Sequence, residues 1–229
     1  MTHTNISSTR RRTGLRAHGL ALAAATLLQL AGCAPLVVGG AMVGGTMMYV
    51  DRRTTGAQVD DQTIELKASS RVKELVGDRS HVNITSYNRT VLLTGEAATE
   101  ADKMAVEQAV QRIDNVRSTV NELAVALPSS LSTRSNDSFL TTKVKATFVD
   151  AKDLQTNAFK VVTERGNVYL MGRVTEREAT RATDLTRTVS GVQKVVRVFE
   201  IITEAELAEL QPANSSTTST TSAPAATKK

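Results

Sequence analysis

The sequence predicts an α+β protein built from two small α-β-β-α-β units, each a three-stranded sheet covered by two helices. Three observations carry this reading. A strand, turn, strand pattern occurs twice, over His81–Gly95 and over Ala158–Gly172. A Thr-initiated helical segment and a third apolar strand follow each occurrence, and a segment of helical period precedes each. Helices gathered on one face of a small sheet form a layered unit, here of about 65 residues and near the lower limit for independent folding.

Taken in order, residues 1–32 read as a signal peptide. Arg10, Arg11, Arg12 and Arg16 make a basic start, Leu20 to Leu28 an apolar run, and Leu30-Ala31-Gly32-Cys33 a terminus. That tetrapeptide resembles the lipobox of bacterial lipoproteins, which implies cleavage before Cys33 and covalent attachment of diacylglycerol and an acyl chain to it. No other cofactor is expected. By the same resemblance, Ala34 after the cysteine implies the outer membrane, with the protein on its periplasmic face. Cys33 is the only cysteine, so no internal disulfide forms. Residues 33–59 read as a lipidated, Gly-rich tether, because Pro35–Tyr49 is too short and too rich in glycine for a spanning helix.

The first unit covers residues 60–127. Asp61 is expected to cap its first helix. Val82 and Ile84, then Val91 and Leu93, alternate along a hairpin whose turn is Tyr87-Asn88-Arg89. Thr99 opens a second helix with Met104, Val106, Ala109, Val110 and Ile113 as its apolar face, and Val116–Val125 forms the third strand. Pro128–Asn136 reads as a linker. The second unit, 137–203, repeats the plan: Asp137 as cap, Phe159 and Val161 with Val168 and Leu170 in the hairpin, and Glu164-Arg165-Gly166 at its turn. Thr175 opens its second helix, which relies on Ala179, Ala182, Leu185 and Val189, and Val192–Ile202 is the last strand. Residues 204–229 read as a disordered Ser/Thr-rich tail.

The helix Ser138–Val149 has two apolar faces. At 100° per residue Leu140, Val144 and Phe148 form one, while Phe139, Thr142, Ala146 and Val149 lie opposite with Lys143 and Lys145 flanking them. Its sister in the first unit matches the core face with Ile64, Ala68 and Val72. On the outer face Thr63, Lys67, Ser70 and Lys73 stand where the second unit has Phe139, Lys143, Ala146 and Val149. Charge diverges in the same sense. Residues 61–127 hold 8 basic and 10 acidic side chains, residues 136–203 hold 11 and 8, so the second unit suits an anionic surface. An apolar strip flanked by lysines is what an interfacial helix needs, and the alternative is that Phe139 and Val149 pack on the first unit.

The repeated order, and in particular Gly56–Asp61, Thr141–Val144, Val161–Glu164 and Leu170–Ala179, resembles the BON domain family of bacterial envelope proteins. Two copies behind a lipobox resemble its dual-BON outer-membrane lipoproteins. The resemblance implies a non-enzymatic protein that binds anionic phospholipid through the first helix of the second domain, with Phe139 at the family's membrane-facing aromatic position. It also implies support of envelope integrity and a place at division sites. The rival reading is a periplasmic adaptor whose helix docks on an envelope protein, such as a barrel-assembly or amidase-activation component.

Other classes fit poorly. The chain after the signal peptide has 24 basic against 23 acidic residues, which argues against non-specific DNA binding driven by phosphate neutralisation. It retains one histidine, His81, and the acylated Cys33, so neither a Cys/His nucleophile pair nor a His-rich metal site can be assembled. Glu176-Arg177-Glu178 reads as a solvated helix start.

Overall fold

The computed structural model describes residues 51–210. The signal peptide, Cys33, the tether as far as Val50 and the tail from residue 211 lie outside the described residues. The elements run α1 (Thr55–Val76), β1 (His81–Tyr87), β2 (Thr90–Ala97), α2 (Glu100–Gln111), β3 (Ser118–Asn121), β4 (Ala124–Val125), α3 (Leu131–Asp150), β5 (Lys160–Glu164), β6 (Asn167–Val174), α4 (Glu176–Thr188), β7 (Lys194–Ile201) and α5 (Glu204–Leu210).

Each unit is an antiparallel hairpin whose second strand pairs in parallel with a third strand, reached through a crossover helix. Both turns have two residues at positive φ: Asn88 and Arg89 at 49° and 66°, Arg165 and Gly166 at 51° and 74°. That geometry matches the twist of a hairpin. Gly95 marks where β2 passes close to β1, and Gly172 where β6 passes close to the segment before β5. A Cβ on either would collide with the carbonyl oxygen of His81 or Ala158. The expected third strand of the first unit is broken. β3 and β4 both pair with β2 in one continuous register, but Asn121 Oδ1 accepts from the Leu123 N–H and interrupts the ladder between them.

The alternating residues form the two helix-covered cores. Ile64, Ala68, Val72, Val91, Leu93, Val106 and Val110 pack in the first, and Leu140, Val144, Phe148, Val161, Val168, Leu170, Ala179 and Ala182 in the second. Met104, expected in the first core, is instead exposed. A third cluster is absent from the sequence reading. The opposite sheet faces carry Tyr87, Leu92, Tyr169 and Met171, which pack together with Val120, Val162, Val196 and Val198 beside them. Each sheet is therefore covered by helices on one face and by the other sheet on the second. Polar contacts edge this seam: Asn83 Nδ2 donates to Glu164 at 2.7 Å, Asn88 Nδ2 to Glu200 at 2.6 Å, and Lys160 Nζ to Glu65 at 2.9 Å.

Five further expectations need correction. Asp61 and Asp137 do not cap helices. The caps are Thr54 and Ser130, whose hydroxyls accept from Ala57 N–H and Thr133 N–H, so both helices start a turn or two earlier. The expected linker is accordingly helical from Leu131 onward. The tether is ordered from Asp51, and α1 begins within it. The tail begins with α5, where Thr203 and Glu206 exchange side-chain bonds to each other's backbone N–H and Leu207 is buried. Finally, Glu178 is not solvated. It is 3% exposed and takes two bonds from Arg52, at 2.7 and 2.8 Å.

Candidate functional site

Helix α3 is the element on which the candidate residues sit. Its inner stripe is Asp137, Leu140, Val144 and Phe148. Asp137 anchors the helix to the hairpin turn by accepting 2.8 Å bonds from the N–H groups of Arg165 and Gly166. Asp61 does the same in the first unit for Asn88 and Arg89, at 2.8 and 2.7 Å. A carboxylate on the buried stripe thus satisfies two turn donors in each unit, which is why both positions are acidic.

The outer face of α3 is uncovered. Phe139, Thr142, Lys143, Lys145, Ala146 and Val149 are all exposed, with Phe139 and Val149 at 63% and 67%. Neither of those two side chains is covered by the first unit, so the alternative in which they pack there is not met. The helical turn before Asn136 adds Leu131, 79% exposed. At 100° per residue it falls in line with Val149. Sequence reasoning missed it because Ser/Thr-rich Ser129–Ser135 resembled a linker. Lys143 Nζ lies 4.8 Å from the centre of the Phe139 ring, within cation–π range. Among the described residues neither Lys143 nor Lys145 forms an ion pair.

α1 also shows apolar side chains on its outer face, Val59 at 58% and Leu66 at 73% exposed, and Leu66 stands where α3 has Thr142. The face of α1 is therefore not simply polar. Charge separates the two more sharply. Lys67 of α1 is paired with Asp114 at 3.1 Å, whereas its counterpart Lys143 has no carboxylate partner. Lys145 replaces Ser69.

Beside the strip lies a cleft of about 560 Å3, open to solvent and bounded by α3, the β5–β6 turn and the segment joining α4 to β7. Phe139, Lys143 and Arg165 line it. Glu164 of that turn is held above the usual carboxylate range by burial and by the nearby Glu96 and Asp137 carboxylates, against the bond from Asn83. His81 is pushed below the ordinary imidazole value by burial and by Arg134, against the Glu96 carboxylate. Among the described residues no three His, Cys, Asp or Glu side chains are placed to hold a metal ion, and no helix is long and apolar enough to cross a membrane.

Comparison with known proteins gives a consistent relation. The BON domain profile matches residues 60–126 and 136–203. The chain is 37% identical over 186 residues to the outer membrane lipoprotein DolP of Haemophilus influenzae, covering 80% of this chain and 95% of that protein. It is 28% identical over 155 residues to the 21 kDa hemolysin of Actinobacillus pleuropneumoniae, covering 67% and 80%. Of solved structures, CdsD of the Chlamydia trachomatis type III secretion system aligns with 62% of this chain and 96% of its own at 11% identity. Its TM-score of 0.25 is too low to bear on fold or function. With a family match in both repeats and the Haemophilus lipoprotein covered almost end to end, the chain belongs to the BON domain family and is a DolP-like dual-BON protein.

Proposed function

We propose that this chain is a non-enzymatic lipoprotein, acylated at Cys33 and held on the periplasmic face of the outer membrane, whose second domain rests on anionic phospholipid through α3. The observation that carries the reading is the exposed strip of Leu131, Phe139, Ala146 and Val149, flanked by Lys143 and Lys145 without carboxylate partners. Kinship with an outer membrane lipoprotein supports the location. A role in envelope integrity, including at division sites, belongs to the same proposal.

Partial insertion of Phe139 and Val149 contributes about 2 to 4 kcal/mol, and each lysine near an anionic surface about 1 kcal/mol. Alone this gives weak binding. Acyl chains add about 0.8 kcal/mol per buried methylene and hold the domain at high local concentration, where a weak contact sets orientation.

The test uses the full chain carrying Cys33→Ser, so that no acyl chain dominates. It is expected to sediment with anionic vesicles, to bind zwitterionic ones less, and to lose the difference on Phe139→Glu. Equal binding to both vesicle types, or an unchanged Phe139→Glu protein, would sink the proposal and leave docking on an envelope protein as the use of α3. In a deletion strain, the acylated Phe139→Glu chain should fail to restore the permeability barrier that the parent restores.

A further inference from the structure

Resting on that reading, we infer that the cleft beside Phe139 receives the anionic phosphate-diester headgroup of a lipid, with Lys143 and Arg165 as its cations. The inference comes from comparing the cleft with the same place in the first domain. The two sites share the same set of turn bonds. Asp61 and Asp137 each accept two turn N–H groups, and Arg117 N–H donates to Arg89 O at 2.8 Å as Gln193 N–H donates to Gly166 O at 2.9 Å. The correspondence pairs Asp60 with Asn136, Arg89 with Gly166 and Asn115 with Gly191.

In the first domain those three side chains close on one another. Asp60 takes bonds from Arg89 at 2.6 and 2.9 Å and from Asn115 at 3.0 Å. In the second domain the carboxylate has become a neutral amide and the other two side chains are gone. Asn136, Gly166 and Gly191 are left lining the 560 Å3 cleft. Glycine is not demanded by the backbone at residue 166, where φ is 74° and the matching Arg89 holds 66°; at Gly191 φ is 104°, against 68° at the matching Asn115. What their loss provides is room, within the range of small-ligand pockets.

The electrostatics agree. Arg165 makes no hydrogen bond to a carboxylate; its nearest is Glu96 at 3.8 Å. The single acidic group lining the cleft, Asp137, has both oxygens occupied by turn N–H groups. A guanidinium and an ammonium around a cleft whose one carboxylate is already satisfied suit a phosphate oxygen pair. Asn136 and Ser190, also on the wall, suit the hydroxyls of a polar headgroup. Phe139, at the mouth, places the cleft where the inserted strip meets headgroups.

The experiment follows the backbone amides of Gly166 and Gly191 by NMR in the full chain carrying Cys33→Ser. The probes are glycerophosphoglycerol, inorganic phosphate, and vesicles of phosphatidylglycerol or phosphatidylcholine. The diester is expected to shift both amides saturably. Two variants should abolish the shift: Asn136→Asp with Gly191→Asn, which puts a carboxylate back on the wall together with the first domain's Asp60–Asn115 bond, and Arg165→Gln, which removes charge without filling space. Each should weaken phosphatidylglycerol vesicle binding about fivefold, the loss of one interfacial charge. Val149→Glu, on the exposed strip but outside the cleft wall, should keep the diester shift while losing the vesicles. If both cleft variants bind vesicles like the parent while Val149→Glu does not, the membrane reading stands and the headgroup site is wrong. Shifts produced by inorganic phosphate alone, with vesicle binding indifferent to the cleft, would assign it to a soluble anion and overturn the lipid source.

Discussion

Arg52 and Glu178 form a bidentate ion pair in which both side chains are almost wholly buried. Arg52 also donates to Arg173 O at 2.9 Å and to Gln155 Oε1 at 3.0 Å, and Glu178 accepts the Thr175 N–H in the capping box of α4. Removing one partner strands a buried charge, so Arg52→Met should cost about 3–5 kcal/mol by urea denaturation. Burial alone would raise the Glu178 carboxyl, but the Arg52 guanidinium and the Thr175 N–H hold it below its ordinary 4.5. The folded state therefore binds this proton less readily than the unfolded chain does. The stability gained is full above pH 4.5 and is lost as pH falls through the lower folded value. Compared with Glu178→Gln, the wild type should keep a constant advantage in Tm at neutral pH that shrinks below pH 4.5. Glu164 works in the opposite sense. Its carboxyl is raised by burial and by its acidic neighbours, so its contribution is favourable below pH 4.5 and is lost as pH rises through the folded value. Glu164→Gln should accordingly melt higher than wild type at pH 7, with the gap closing on acidification.

At the scale of elements, both hairpin turns, the Thr99 and Thr175 caps and the inner stripe of α3 were readable from residue type and spacing. The starts of α1 and α3 were not. An aspartate ahead of an apolar run ordinarily signals an N-cap, but Asp61 and Asp137 lie one helical step before Ile64 and Leu140 on the buried stripe, and their partners are in a turn distant in sequence. Propensity also misleads over Ser129–Ser135, where tertiary placement and the Ser130 cap override a composition that favours loops. Helix α5 escaped notice because seven residues show no helical period. Ser130→Ala should cost about 1 kcal/mol and fray the turn that carries Leu131, visible as faster amide exchange there. Asp137→Ala leaves the Arg165 and Gly166 donors without acceptors and should cost about 1–3 kcal/mol, with the loss centred on the β5–β6 turn.

The whole molecule is organised by the seam between its sheets, and the signal for it was present in the sequence. Val91-Leu92-Leu93 and Val168-Tyr169-Leu170-Met171 are continuous apolar runs, the mark of strands covered on both faces, whereas alternation accounts for only one face of each. Which surface would cover the second face is a property of the assembled pair and has no local signature. With that seam the domains should unfold together: calorimetry is expected to give one transition for wild type and two for Leu92→Asp. Tyr169→Ala should cost about 3–5 kcal/mol. Under the proposed acylation of Cys33, the Arg52 pair has a different consequence. Along the sequence the anchor precedes the first domain, yet in space the residue that ends the tether is clamped to the second. The 18 steps from Cys33 to Asp51 reach roughly 60 Å at full extension. The leash on which α3 swings is measured to that clamp. On that reading, unclamping Arg52 would lengthen it by whatever the first domain can pivot, diluting α3 at the proposed membrane surface without changing any residue of the exposed strip.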